Sequence, residues 1–312
     1  MARRVTFRSG EDKCVGLLDL PERARGPVPL VVMAGGWCYT KEIVMPHYAR
    51  RFRAVGCGSL IFDYRGFGES SGGPRQHIDP WAQVEDYRNA LSFAESQPEV
   101  DTDRLGVWGI SYSGGHVLIL AACDPRVRFA ISTIPVVDGW QTLRRCHGER
   151  RFADLLDHLA KDRKDRFETG GPGGFIPHSS LDPEHELSAW PFPHVHEIFH
   201  EIKRREAPLH EHRSTIASVD LLLTYSVFPF CARIIDTPVF MGVAKGDNIT
   251  SADLEIEAFN AIASPNKEIA IVGGVSHMSL YAQESHLDRM GAAQAEWLRR
   301  QTAASAPGEW RA

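Results

Sequence analysis

A chain of 312 residues, 43% hydrophobic and 24% charged, can bury one large core with room for an insertion, and its composition is that of an ordinary folded protein. A net charge of −5 favours neither nucleic acid nor an anionic membrane as partner. No run of about 18 apolar residues suggests a membrane span, and no apolar segment follows the arginines of "MARRVTFRSG" as a secretory signal requires.

Six scattered cysteines without a C-x-x-C pair read as reduced thiols of a cytoplasmic protein. From the N-terminus, "RVTFRS" (3–8) and "CVGLLDL" (14–20) flank the turn-rich "SGEDK", which predicts a hairpin. "PERARGP" leads into "VPLVVMAGG" (28–36), a continuous β-branched run expected of a central parallel strand. "GCGSLIFDYRG" (56–66) repeats that form, and "MPHYARRFRAVG" between them has helical spacing and stops at a glycine. Residues 79–97 predict an amphipathic helix with Asp79 as cap and Pro80 in its first turn.

The alternation goes on through a strand "RLGVWGI", a helix "GGHVLILAAC" and a strand at 128–137. It resumes at "TPVFMGVAKGD" (237–247), a helix "SADLEIEAFNAIA", a strand at 268–274 and a last helix containing "AAQAEWLRRQ". Such a rhythm implies an α/β fold: a mostly parallel sheet with helices on both faces. Residues 138–232 lack the rhythm. They hold helical pieces such as "ERRFADLLDHLAKD" and "VHEIFHEIKRRE" between breaker-rich joints, and predict a mainly helical cap inserted between core strands. The expected division is a core of 1–137 and 233–312, with the cap at 138–232.

The chemistry points to the turn "G109-I-S111-Y-S113-G-G", which joins a predicted strand to a predicted helix. A nucleophile elbow turns so sharply that only small residues fit two positions either side of the serine. Ser111 has Gly109 before it and Ser113 after it at that spacing, so Ser111 is the nucleophile and Ser113 a small spacer. The following helix aims unpaired N–H groups at any oxyanion formed there.

A serine needs a base, and the base needs an orienting carboxylate. In this architecture the acid and then the histidine follow later strands. Asp247 and His277 stand just past two successive strands, with room for one helix between them. His286 lies in a helix and Asp236 precedes its strand, whereas Asp253 and Glu255 are reserve candidates for the acid. The oxyanion hole is expected from the backbone N–H groups of Tyr112 and Trp37, with Gly35 and Gly36 permitting close approach.

These residues resemble the α/β-hydrolase family. "FDYRGFGESSG", "WGISYSGGH", "GD" at 246–247 and "GGVSHMSLY" match its landmarks across roughly 1–137 and 233–300. "GGWCYTKE" and "DPRV" are similar to the branch of dienelactone-hydrolase-like and X-Pro-peptidase-like esterases and polyketide-tailoring acyl hydrolases or transferases. Gly35-Gly36 stands where His-Gly is usual, and Ser113 replaces a glycine.

The expected reaction is therefore cleavage of an ester or thioester of a small-molecule substrate with an apolar, medium-sized acyl group, through an acyl-enzyme. No metal or organic cofactor is required. Acyl transfer or C–C bond hydrolysis by the same three residues, and a non-catalytic receptor, are the alternatives. A homodimer stays open. Trp140, Trp190, Phe192, Phe228 and Phe230 either line the site or form the cap's own core. The expected pocket walls are Gly36, Cys38, Trp140, Trp190 and Met278. His196 and His200 lie at i, i+4 but lack a third ligand at firm spacing, so a packed or solvated helix accounts for them. "GESSGGPRQH" lacks the lysine of a phosphate-binding loop.

Overall fold

The computed structural model describes residues 2–22 and 26–303, so the outermost ends of the predicted core, Met1 and 304–312, and part of "PERARGP" lie outside the described residues. The N-terminal hairpin is β1 (Arg3–Ser9) and β2 (Asp12–Asp19), paired in register from Arg3 opposite Leu18 to Ser9 opposite Asp12. Then follow β3 (Val28–Ala34), helix α1 (Met45–Ala54), β4 (Gly58–Phe62), α2 (Pro80–Glu95), β5 (Val100–Ile110), α3 (Tyr112–Cys123) and β6 (Phe129–Thr133). The core resumes with β9 (Val239–Ala244), α8 (Ala252–Ala261), β10 (Lys267–Val272), α9 (Ser279–Ala282) and α10 (Glu284–Thr302).

Eight strands form one sheet in the order β1-β2-β4-β3-β5-β6-β9-β10. Every pairing from β4 to β10 is parallel, and only the hairpin joins antiparallel. The central strands are apolar throughout because helices cover both faces; all seven residues of β3 are buried. Asp79 caps α2 as expected, its Oδ1 accepting from the N–H groups of Trp81 (2.9 Å) and Ala82 (3.2 Å). The chain is thus an α/β fold of the α/β-hydrolase type, mostly parallel with helices on both sides.

Parallel strands put all their C-terminal ends on one edge. Ala34 pairs with Gly109, Thr133 with Gly242, and Ala244 with Val272. The loops holding Trp37, Ser111, Asp247 and His277 therefore leave from neighbouring points of one sheet edge. The motif "DYRGFGES" braces this edge from beneath. Asp63, fully buried, accepts from the Lys41 N–H (2.6 Å), the Lys41 ammonium (2.9 Å) and the Glu69 N–H (3.1 Å). Gly68 lies so close to the Asp63 carboxylate that a Cβ there would collide with it.

Between β6 and β9 run α4 (Gly139–Thr169), β7 (Phe175–Pro177), α5 (Pro193–Arg205), β8 (Arg213–Thr215), α6 (Ile216–Leu223) and α7 (Phe228–Cys231). Asp138 caps α4, which is broken at Gly148 (φ 67°, ψ 165°) and ends on left-handed Gly170. The short antiparallel pair β7–β8 has no signature in the periodicity, since three-residue strands are below what alternation reveals. The strand expected over 128–137 ends at Thr133, because the chain turns sharply at Ile134 (φ 40°). Among the described residues no helix is long and apolar enough to cross a membrane.

Candidate active site

At the end of β5 the chain reverses into α3 through Ser111, held at φ 58° and ψ −120°. A non-glycine residue in the left-handed region is strained, and its surroundings hold it there. The Ser111 N–H donates to the Thr133 carbonyl (2.9 Å), while the Ser111 carbonyl accepts from Gly114 and Val136 (3.0 Å each). A Cβ on Gly109 would collide with the Ser113 carbonyl oxygen, and one on Gly115 with the Val136 carbonyl oxygen. Small residues at these positions are thus demanded by backbone contact.

Ser113 does more than keep clear. Its hydroxyl accepts from the Ile110 N–H (2.8 Å) and donates to the Ala34 carbonyl (2.8 Å), tying the elbow to the end of β3. The Ser111 hydroxyl, in contrast, makes no hydrogen bond among the described residues, although the residue is only 5% exposed. It faces a cavity of about 20 Å³ lined also by Trp37, His178, Trp190, His277 and Met278.

His277 joins this cavity from the loop after β10. Its Nδ1–H donates to Asp247 Oδ2 at 2.7 Å. Asp247 sits in the loop after β9, and the two loops are stitched by the Gly246 N–H donating to the Val275 carbonyl (2.8 Å). The other Asp247 oxygen accepts from the N–H groups of Ile249 (2.8 Å) and Thr250 (2.9 Å). Burial alone would raise the Asp247 pKa. The charge and hydrogen bond of His277, with the Ile249 and Thr250 donors, outweigh burial and hold it below the usual carboxylate value. With Nδ1 held by Asp247, Nε2 is the ring nitrogen left without a hydrogen-bond partner among the described residues. Of the reserve acids, Asp253 is exposed and paired with Arg145 (2.7 Å), and Glu255 lies buried behind Asp247.

Trp37 and Gly36 come to the other side of Ser111. A Cβ on Gly36 would stand 3.1 Å from that of Ser111. The Trp37 N–H, and the Tyr112 N–H in the first turn of α3, have no acceptor among the described residues. The Trp37 ring packs against Tyr112 (centroids 5.3 Å apart) and Trp190 (5.8 Å).

Two expected pocket walls are elsewhere. Cys38 is buried but points away, its thiol donating to the Arg213 carbonyl (3.3 Å), and burial pushes the thiol pKa well up. The positive φ of Cys38 (63°) is what turns its side chain from the cavity. Trp140 is 46% exposed and packs edge-on against Phe152 within the inserted segment. Trp190 and Met278 do line the cavity, and Gly36 abuts Ser111 without lining it.

The rest of the wall comes from residues that periodicity could not single out: Tyr39, His178, Val195, Phe199 and Ile249. Val195 and Phe199 share one face of α5, a spacing visible in "VHEIF" that reads equally as ordinary core. On the neighbouring stripe His196 and His200 stack ring on ring (3.9 Å), and His200 stacks on His212 (3.6 Å). Ring nitrogens bind in the ring plane, so stacked imidazoles do not converge on one ion. A larger cleft of about 910 Å³ opens at the opposite edge of the sheet, around Asp101, Arg104 and Asp236, away from the Ser111 cavity.

Comparison with known proteins places this arrangement. The X-Pro dipeptidyl-peptidase (S15 family) profile matches residues 17–166. A thiohydrolase of Aspergillus aculeatus is 30% identical over 262 residues, covering 82% of this chain and 80% of the relative. A polyketide transferase of Aspergillus fumigatus is also 30% identical, over 83% of this chain and 85% of the relative. Among solved structures, the α/β hydrolase GrgF from Penicillium sp. sh18 superposes with a TM-score of 0.79 at 23% identity, over 97% of this chain and 99% of that one. Relatives of this kind make the chain a hydrolase-like enzyme. Sharing their fold over nearly its whole length and their sequence over four-fifths of it, the chain belongs to the α/β-hydrolase superfamily.

Proposed function

We propose that the protein is a serine hydrolase that cleaves an ester or thioester of an apolar acyl substrate. The observation that carries this reading is the buried Asp247–His277 pair at 2.7 Å, whose histidine shares one cavity with an unengaged Ser111 hydroxyl. In the reading, Ser111 Oγ attacks the carbonyl carbon as its proton passes to His277 Nε2. The tetrahedral oxyanion is met by the N–H groups of Tyr112 and Trp37, and His277 returns the proton to the departing alcohol or thiol. Water then releases the acid by the same sequence in reverse. The name of the Aspergillus aculeatus relative supports a thioester among the substrates.

The walls support an uncharged, apolar acyl group, because Trp37, Trp190, Val195, Phe199, Ile249 and Met278 present no formal charge. A cavity of about 20 Å³ holds little more than one water. Substrate access therefore requires the residues from the 138–232 segment to shift. The tight aromatic enclosure, together with the transferase named among the relatives, supports a second reading in which an acceptor alcohol or amine replaces water at the acyl-enzyme.

Hydrolysis of p-nitrophenyl esters and of an acyl thioester tests the proposal. Ser111→Ala is expected to lower kcat by a factor on the order of 10³ or more and to abolish labelling by a fluorophosphonate. Wild-type rates in that variant would overturn the reading. Partitioning of the acyl group between water and an added alcohol separates hydrolase from transferase.

A further inference from the structure

Behind Asp247 stands a second carboxyl that the proposed chemistry does not use. Glu255, on the first turns of α8, is fully buried. Its Oε1 lies 2.6 Å from Thr250 Oγ1, which in turn lies 2.9 Å from Asp247 Oδ2 and 3.2 Å from His277 Nδ1. Both carboxyl contacts are hydrogen-bond distances between oxygens, so each needs a hydrogen. Threonine supplies one. The Nδ1–H of His277 is directed at Asp247 Oδ2, the nearer acceptor at 2.7 Å, and cannot serve as the second. The missing hydrogen must come from a carboxyl group.

Asp247 already accepts from Ile249 N–H, Thr250 N–H and His277, which marks it as the anion. Glu255 has no donor aimed at it other than the Thr250 hydroxyl, and its Oε2 is buried with no partner among the described residues. An ionised carboxylate with a bare, desolvated oxygen is far costlier there than a neutral acid.

We propose that Glu255 is a neutral carboxylic acid that positions the Asp247–His277 pair: its Oε1–H donates to Thr250 Oγ1, whose own hydrogen is thereby turned onto Asp247 Oδ2. The proposal rests on the hydrolase reading above and adds a positioning residue to it. The surrounding charges agree. Facing Glu255 are Asp247 and, through Thr250, His277. Asp253 on its own helix is tied to Arg145 of α4 at the surface, and the nearby Cys146 of α4 gives its thiol hydrogen to the Ile249 carbonyl. No cation is paired with Glu255 among the described residues. Burial first, and then the Asp247 charge, raise its pKa well above the ordinary glutamate value.

The arrangement has a consequence for the base. An ionised Glu255 would draw the threonine hydrogen away from Asp247 and set a second anion against the one that holds His277 Nδ1. A neutral Glu255 leaves one negative charge, fixed by four donors.

Two measurements on the full chain test this. In the infrared difference spectrum of wild type minus Glu255→Gln at neutral pH, a protonated-carboxyl C=O band that shifts in deuterium oxide is expected, and its absence overturns the proposal. In kinetics, Glu255→Leu is expected to lower kcat about tenfold with KM within twofold. Glu255→Gln, whose amide can donate to Thr250, restores most of that loss. Equal loss in both variants would mean that an ionised carboxylate is required, and no loss in Glu255→Leu would mean that Thr250 needs no positioning. Either outcome overturns the proposal. Ser111→Ala run in parallel tells the failures apart, since an active Ser111→Ala removes the hydrolase reading while the infrared band is read independently of activity.

Discussion

Lowering the pH from 7 to 5 should destabilise the fold through His210, and the size of the effect follows from its surroundings. His210 is fully buried, donating from Nδ1 to the Cys38 carbonyl (2.9 Å), with Nε2 unpartnered among the described residues. Burial, followed by the Lys203 and His200 charges, pushes its pKa down to about 4, against the raising effects of the Cys38 carbonyl and Glu211. His178, His200 and His212 share the cluster, with His212 4.6 Å and His178 5.7 Å away, centroid to centroid. Between pH 6.5 and 4 the unfolded chain binds a proton at this position and the folded chain does not. Stability therefore rises with pH across that window and is lost as pH falls through it. With an unfolded histidine near its ordinary value, moving from pH 7 to 5 costs about 2 kcal/mol at His210 alone. His210→Gln keeps a donor for the Cys38 carbonyl but does not titrate. Urea unfolding of both proteins at pH 7 and 5 should show the acid-induced loss smaller in the variant by about 2 kcal/mol. An identical loss in both would refute the assignment of a neutral, buried imidazole.

Other changes have equally definite directions. Asp247→Asn keeps the shape but presents an amide to Nδ1, allowing the wrong tautomer, and should lower kcat by a factor on the order of 10³–10⁴ with the protein still folded; steady-state kinetics with circular dichroism check it. Trp190→Phe trims the cavity wall without removing the aromatic contact with Trp37. It should raise kcat/KM for longer p-nitrophenyl esters relative to the acetate, by roughly fourfold per methylene newly accommodated, taking about 0.8 kcal/mol for each buried methylene.

The frame of the molecule was legible because it is written in strong local signals. A continuous β-branched run gave β3, its repeated form gave β4, and the Asp79-Pro80 pair gave the start of α2. Ser111, Asp247 and His277 were legible for a related reason, since parallel strands carry any residue just past their ends to one edge. The cavity walls were another matter. Trp140 and Trp190 are both tryptophans of the inserted segment, and nothing in their immediate neighbours distinguishes the one 46% exposed from the one 4% exposed. Cys38 follows Trp37 directly, yet the left-handed turn at Cys38 sends the two side chains to different places. Thr250 left no sequence signal either, because its role depends on two carboxyls that meet only when the loop after β9 folds back along α8.

Machinery and enclosure are thus built from different kinds of sequence, and this bears on how relatives with one fold come to carry both hydrolase and transferase names. The elbow, the acid and the histidine hang from sheet strands whose register is set by many hydrogen bonds, so their backbone positions are fixed by the core. Tyr39, Phe199 and His178 meet across the roof at ring distances of 4.6 to 5.3 Å, and only Tyr39 comes from the core. If the proposed chemistry holds, replacing α5 residues would alter what fits above Ser111, and how readily water reaches an acyl group there, without moving Ser111, Asp247 or His277. Under the proposed chemistry, the choice between water and another acceptor would accordingly fall to the roof.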